Sequence, residues 1–279
     1  MARSRLDAEL VRRGLAPSRN QAQRMVEEGR VLVNGLPAVK AASQIDQALP
    51  IELAKTSESD DYVSRGAHKL LGALEAFRGD FPPIEGAKCL DAGASTGGFT
   101  EVLLRNGARE VVAVDVGYGQ LAWKLREDPR VTVLERVNIR HLTPEQVGTP
   151  PSLVVADLSF ISLALVLPNL VSVAPEATMM LMVKPQFEAG KGNVGAGGVV
   201  RDPKIRAETV LKVADKAIEL GLRVSGVAAS PLPGPSGNVE YFLLLAPHAT
   251  DEDHASGLAG AELVAAVERA VAEGPQDGL

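Results

Sequence analysis

Ten residues, Asp91-Ala92-Gly93-Ala94-Ser95-Thr96-Gly97-Gly98-Phe99-Thr100, carry the first chemical signal of the chain. They follow the apolar run Lys88-Cys89-Leu90 and read as strand, glycine turn and helix start. Glycines at 93, 97 and 98 permit a sharp turn and let the backbone approach a ligand without a Cβ in the way. The spacing is neither G-x-G-x-x-G nor a P-loop, and the opening carboxylate would repel a pyrophosphate while suiting a ligand with positive charge. Asp115 closes the next apolar run, where a carboxylate can accept both hydroxyl protons of a ribose. A second signal is Lys184, which ends the very apolar stretch Met179-Met180-Leu181-Met182-Val183 and precedes Pro185. Its ammonium must find water, a carboxylate or a ligand, because burying it unpaired is costly. Asp157 and Glu240 stand at other strand ends and Lys69 on a helix before the sheet. Amines and carboxylates are groups that can give or take a proton. They are also the groups of ordinary ion pairs. Two ammoniums about 4 Å apart at an effective dielectric of about 20 repel by about 4 kcal/mol, which two nearby acids would largely cancel.

The elements that must position these groups follow from the alternation of the sequence. Strands are expected near 88–91, 111–115, 131–134, 153–157, 179–183, 224–228 and 241–246, with helix-compatible segments between most of them, including 66–78 and 204–220. Repeated strand and helix of these lengths predict an α/β fold with a mainly parallel sheet covered on both faces. Ligands of such sheets sit beyond the carboxyl ends of the strands, where Asp91, Asp115 and Asp157 all fall.

A different composition precedes the sheet. Leu6, Leu10 and Val11 at helical spacing with Gly14 as stop, a second helix opened by Ser18-x-x-Gln21 and stopped at Gly29, and a hairpin at Asn34-Gly35 predict a small α+β module over 1–56. That segment holds nine Lys and Arg against six Asp and Glu, although the whole chain of 279 residues has a net charge of −6. An excess of arginine on so small a unit suits phosphate contacts. Residues 57–65 are polar and without periodicity, a linker, and 66–247 hold the sheet. The acidic extension 248–279 is expected to be partly helical, over 258–273. The single Cys89 allows no disulfide framework, four scattered histidines give no metal-ligand spacing, and no apolar run reaches the about 20 residues of a membrane span. A metal-free protein of the cytoplasm is the expectation, its oligomeric state unreadable. The glycine-dense stretch 190–198 is either a connector or a lid that orders around a ligand.

Three resemblances join these readings. Arg5-Leu6-Asp7, Ser18-Arg19 and Gly29-Arg30-Val31-x-Val33-Asn34-Gly35 resemble the S4 RNA-binding module. The Asp-x-Gly-x-x-x-Gly-Gly loop resembles that of class I, Rossmann-like methyltransferases with a seven-stranded sheet, and a ligand with a ribose and a cationic centre fits S-adenosylmethionine. Lys69, Asp157, Lys184 and Glu240, in that order, resemble the catalytic tetrad of ribose 2′-O-methyltransferases. With Tyr62-Val63-Ser64-Arg65-Gly66-Ala67-His68-Lys69, Lys184-Pro185-Gln186-Phe187-Glu188 and the 230–240 segment ending in Asn238-x-Glu240, the chain resembles the TlyA family, ribosomal RNA cytidine 2′-O-methyltransferases also labelled hemolysins.

By that resemblance residues 91–99 would hold the methionine moiety of the cofactor, Asp115 the ribose and Asn138 the adenine, with Val116 a further cofactor contact. Lys184 would be the base, Lys69 would hold the hydroxyl, and Asp157 and Glu240 would fix the two amines. Arg3, Arg5, Arg19, Arg24, Lys40, Arg65, Lys191 and Arg201 are the expected contacts to ribosomal RNA or ribosomal subunits. Other readings stay open at this point. A small-molecule methyltransferase would leave the arginine-rich module idle, a membrane-active hemolysin lacks a helix of membrane type in the sequence, and a non-enzymatic RNA-binding protein would not need the tetrad.

Overall fold

The computed structural model describes residues 3–16, 19–27, 29–53, 62–190, 192–247 and 257–275, in two compact units, 1–61 and 62–279. The first unit contains β1 (Arg3–Arg5), α1 (Leu6–Arg12), α2 (Arg19–Glu27), β2 (Val31–Val33), β3 (Leu36–Pro37), β4 (Gln44–Asp46) and β5 (Ile51–Leu53). Leu6 and Leu10 of α1 face Ala22, Met25 and Val26 of α2 in one small core, the spacing that places apolar residues on one helix face. Asn34 and Gly35 both take left-handed backbone (φ 52° and 76°), the geometry of a tight two-residue hairpin turn between β2 and β3. Three strands, β1, β4 and β5, went unforeseen. β1 pairs antiparallel with β4, and β5 joins β2, each only three residues long and so without readable alternation. Ser18, expected to cap α2, lies outside the described residues.

The second unit runs α3 (Gly66–Ala76), β6 (Lys88–Ala92), α4 (Gly98–Arg105), β7 (Glu110–Asp115), α5 (Trp123–Arg126), β8 (Val131–Glu135), α6 (Pro144–Val147), β9 (Leu153–Ala156), α7 (Leu167–Val173), β10 (Thr178–Val183), α8 (Pro185–Glu188), α9 (Pro203–Glu219), β11 (Leu222–Ala229), β12 (Tyr241–Pro247) and α10 (Gly260–Glu273). Among the described residues seven strands form one sheet in the order β11-β12-β10-β9-β6-β7-β8. All neighbours are parallel except β12, which runs antiparallel to both β10 and β11. The central strands are apolar on both faces except at their ends and at Asp91, because alternate residues enter different cores. Leu90, Val112 and Val154 pack under α7, α9 and α10, whereas Cys89, Val111 and Val155 pack under α3 and α4. Cys89 is core material, its thiol pushed up to about 12 by burial.

The chain order reverses between β6 and β9, which opens a crevice at their carboxyl ends. Two boundaries differ from expectation. Tyr62 and Val63, read as linker, pack on the α3–α4 core, and the Val63 amide donates to Glu101 at 2.7 Å. Leu263, Val267 and Ala270 of α10 are buried in the main core, so the helical part of the acidic extension belongs to the sheet unit. Polar, acidic composition hid both, because only a few apolar residues in each segment make the contact. No helix among the described residues is long and apolar enough to cross a membrane, and none of their His, Cys, Asp and Glu side chains cluster as a metal site.

Candidate active site

Strand register assembles the four polar groups. Val183 pairs with Tyr241 across the antiparallel β10–β12 ladder, so Lys184, which follows one strand, meets Glu240, which precedes the other. Parallel β9 ends at Ala156 opposite Leu181, which brings Asp157 beside Lys184 from the other side. α3 lies over the sheet, its close approach set by Gly72, where a Cβ would stand 2.4 Å from the Pro231 ring. Lys69 of that helix donates to Glu240 Oε2 at 2.5 Å. Lys184 Nζ lies 2.5 Å from Asp157 Oδ1, 3.0 Å from Ser159 Oγ and 4.0 Å from Glu240 Oε1. In space the order is therefore Lys69, Glu240, Lys184, Asp157, alternating in charge. Lys69, Lys184 and Glu240 are buried, while Asp157 is partly open to the crevice. Alternation lets two amines persist in a dry place, because each carboxylate faces an amine.

The glycine loop sits at the end of β6. Gly93 (φ 89°) passes so close to the next strand that a Cβ would lie 2.6 Å from the Asp157 carbonyl oxygen, and a Cβ on Gly97 (φ 101°) would strike Leu125 at 2.2 Å. Asp91 is fully buried beneath the loop. Its Oδ2 accepts from Thr100 Oγ1 at 2.6 Å and its Oδ1 has no hydrogen-bond partner. Burial, aided by the negative charges of Asp157 and Asp115 and opposed by Thr100, pushes its carboxyl up to about 7. Beside the loop opens a cavity of about 520 Å³, lined among others by Gly93, Ser95, Asp115, Val116, Asn138 and Asp157. That volume suits a nucleoside-sized ligand. Asp115 already receives the amides of Ser95 (2.8 Å) and Gly117 (2.6 Å), which hold its carboxylate at the cavity wall. Asn138, on the cavity wall, accepts from the Arg140 amide through Oδ1 at 3.0 Å, a bond that does not use its side-chain NH2 group. An orphaned buried carboxylate oxygen, a loop that admits no Cβ and a wall carrying Asp115 fit a cationic nucleoside such as S-adenosylmethionine. Of the loop residues expected to touch it, Gly93 and Ser95 line this cavity. Asp91 and Ala92 lie beneath, Ala94 lines a smaller adjoining hollow, and Thr96 and Gly97 lead into α4 with Gly98. Phe99 is a core residue, stacked on Phe242 at 6.3 Å, because α4 turns it towards the sheet.

The expected RNA contacts are of three kinds. Arg3, Lys40, Arg65 and Arg201 are exposed. Arg5 and Arg19 both pair with the buried Asp7, at 2.8 and 3.1 Å, and these two arginines are thereby held side by side rather than unrestrained. Arg12 and Arg13 share Glu9 in the same way, and the Arg12 guanidinium with Arg13 lowers the Glu9 carboxyl to about 2. The side chains of Arg24 and Lys191 lie outside the described residues. Of the glycine-dense stretch, the far end is fastened: Asn238 accepts from the Val200 amide and donates to the Gly198 carbonyl, both at 2.9 Å.

Comparison with known proteins identifies the family. Residues 62–246 match the FtsJ-like methyltransferase family and residues 4–47 the S4 domain. The 16S/23S rRNA (cytidine-2'-O)-methyltransferase TlyA of Mycobacterium tuberculosis is 60% identical over 274 residues, which cover 98% of this chain and 99% of that protein. This chain belongs to the TlyA family. Relatives in the family bear other names as well. Hemolysin A of Brachyspira hyodysenteriae is 37% identical over 240 residues, covering 85% of this chain and 98% of its own length. A solved structure from Streptococcus thermophilus, also described as a hemolysin, matches with a TM-score of 0.72 at 37% identity and covers 98% of this chain and 97% of that one. In this TlyA-type site, sequence reasoning missed Ser159, Gln120, Leu158, Phe160 and Ile161, which line the cavity with the foreseen residues. The segment 158–161 directly follows Asp157 at the crevice, and that adjacency was the available signal.

Proposed function

We propose that the chain transfers a methyl group from S-adenosylmethionine to the 2′-hydroxyl of a cytidine in ribosomal RNA. The alternating chain Lys69, Glu240, Lys184, Asp157 beside the 520 Å³ cavity carries this reading. The M. tuberculosis relative is named for the same reaction. When bound, S-adenosylmethionine supplies an electrophilic methyl group on a sulfonium. Gly93 and Ser95 would border its methionine part, Asp115 would take the ribose hydroxyls and Asn138 the adenine. A second cavity of about 420 Å³, lined by Phe160, Ile161, Ser162, Gln186, Phe187, Gly190 and Val194, shares Phe160 and Ile161 with the first and is walled by the turn that follows Lys184. We assign this neighbouring cavity to the acceptor nucleoside because it adjoins the cofactor cavity at Phe160 and Ile161.

Lys184 Nζ, in its neutral form after giving its own proton to solvent at the crevice, takes the proton of the acceptor hydroxyl, and Lys69 holds the oxygen while the bond forms. Glu240 keeps the two amines apart and aligned, and Asp157 anchors Lys184 at the crevice. Orientation supplies much of the acceleration for such a displacement. The first unit docks the RNA, with Arg5 and Arg19 presented together by Asp7 to phosphates. Purified 30S and 50S subunits incubated with labelled cofactor, followed by mapping of ribose methylation, test this. Label on a cytidine 2′-oxygen that drops at least 100-fold in Lys184→Ala is the expected result. Label on a base, or near-normal turnover by Lys184→Ala, would refute it.

A further inference from the structure

The geometry points to Ser159 as a positioning residue that aims the Lys184 amine, an inference that rests on the function proposed above. Lys184 Nζ donates to Ser159 Oγ at 3.0 Å, and Asp157 Oδ1 stands at 2.5 Å. Glu240 Oε1, at 4.0 Å, is beyond hydrogen-bond length and acts on the amine by charge alone. A neutral amine has two N–H groups and one lone pair. The bond to Ser159 fixes one N–H, whereas Asp157 Oδ1 at 2.5 Å makes an ion-pair contact without hydrogen-bond geometry and draws the amine by charge, so Ser159 sets the direction of the lone pair. Without Ser159 the amine keeps one anchor and turns about it, so its lone pair is aimed at the acceptor hydroxyl only part of the time. Asp157 alone supplies charge but not this direction.

The loop bearing Ser159 is built to hold it there. Phe160 next to it has left-handed backbone (φ 64°), a conformation that costs a non-glycine residue energy and persists only when its surroundings impose it. The far end of the loop is pinned to the helix that starts after Lys184. Buried Glu188 accepts from Ser162 Oγ and from the Leu163 amide, both at 2.6 Å. Lys184 and Glu188 therefore grip the same loop, one through Ser159 and one through Ser162 and Leu163. Ser159 also lines the cofactor cavity, so its two possible roles, wall and aim, must be separated by experiment.

Ser159→Ala, Ser159→Thr and wild type are compared in single-turnover methylation of ribosomal subunits, with cofactor affinity measured by calorimetry. A hydrogen bond to an amine of this kind predicts a rate about tenfold to 100-fold lower in Ser159→Ala, cofactor affinity within about twofold of wild type, and recovery to within about threefold in Ser159→Thr, which restores the hydroxyl. In the ligand-free protein, the ¹⁵N signal of Lys184 Nζ, assigned by its loss in Lys184→Arg, shifts in the alanine variant and returns in the threonine variant. An unchanged rate in Ser159→Ala, a loss of cofactor affinity as large as the loss of rate, failure of threonine to rescue, or an unmoved Nζ signal would overturn the role. Absence of ribose methylation by wild type counts against the proposed function instead, and the Nζ signal still decides whether Ser159 holds the amine.

Discussion

Asp91→Asn should make the protein more stable, and by an amount that grows with pH. Asp91 is wholly buried, one oxygen is bonded to Thr100 and the other has no donor, and burial raises its carboxyl from 3.8 to about 7. The folded state therefore binds a proton more tightly than the unfolded chain. Unfolding releases that proton between the two values, so wild-type stability falls as pH rises through this window and levels off above about 7. At about 1.4 kcal/mol for each pH unit, the interval from pH 5 to 7 costs the wild type about 3 kcal/mol. Asparagine has the same shape, keeps an acceptor for Thr100 and does not ionise. The difference in unfolding free energy between variant and wild type, followed by urea denaturation of both chains in parallel, should thus widen by about 3 kcal/mol between pH 5 and pH 8. A difference that stays constant with pH would refute the reasoning. The same carboxyl couples to the ligand. A cationic cofactor above the loop favours the ionised form, so binding near pH 7 should release part of a proton from wild type and none from the variant, measurable by calorimetry in buffers of different ionisation heat.

Two further outcomes follow from the geometry. Gly93→Ala places a Cβ 2.6 Å from the Asp157 carbonyl oxygen on left-handed backbone, so it should weaken cofactor binding at least about tenfold through roughly 1–3 kcal/mol of strain. Equilibrium dialysis with labelled cofactor measures this, and unchanged affinity would mean that the loop moves without consequence. Replacing Arg5 and Arg19 together by Gln should flatten the dependence of log affinity for ribosomal RNA on log salt by about 1.4, two phosphates at about 0.7 each. An unaltered slope in filter binding would show that these guanidiniums serve Asp7 alone.

Much of this was legible because the decisive residues announce themselves locally. A lysine closing an apolar strand, an aspartate opening a glycine turn and an aspartate at the next strand end are each anomalous within a few residues. Strand alternation and glycine stops are likewise local, so the sheet and α9 were readable. Ser159 was not, since a serine after a strand is unremarkable until Lys184, 25 residues further on, is seen to donate to it. Phe99 misled for the opposite reason: it belongs to the glycine motif by position, but helical rotation from Gly97 turns it into the core. The arginines of the first unit misled in part, because their excess was visible while their anchoring on Asp7 and Glu9 depends on side chains that pack inside α1.

Glu240 shows why the sheet needs its one reversed strand. A parallel strand brings its last residue to the carboxyl-end rim, which is how Asp157 and Lys184 arrive there. An antiparallel strand brings its first, and β12 enters at Tyr241 against Val183 with Glu240 just before it. The carboxylate thus reaches the rim between two amines without a loop to carry it, and the strand behind it is apolar and buried along its length. Rigid strands on both sides hold charges that would drift if they stood on loops. Ser230, whose amide donates to the Glu240 carbonyl at 2.8 Å, closes the turn from β11 and sets where β12 begins. The tetrad's sequence order, Lys69, Asp157, Lys184, Glu240, becomes the spatial order Lys69, Glu240, Lys184, Asp157 through the strand order β12-β10-β9, the reversal of β12 bringing Glu240 to the rim, and the spatial order is the one in which charges alternate.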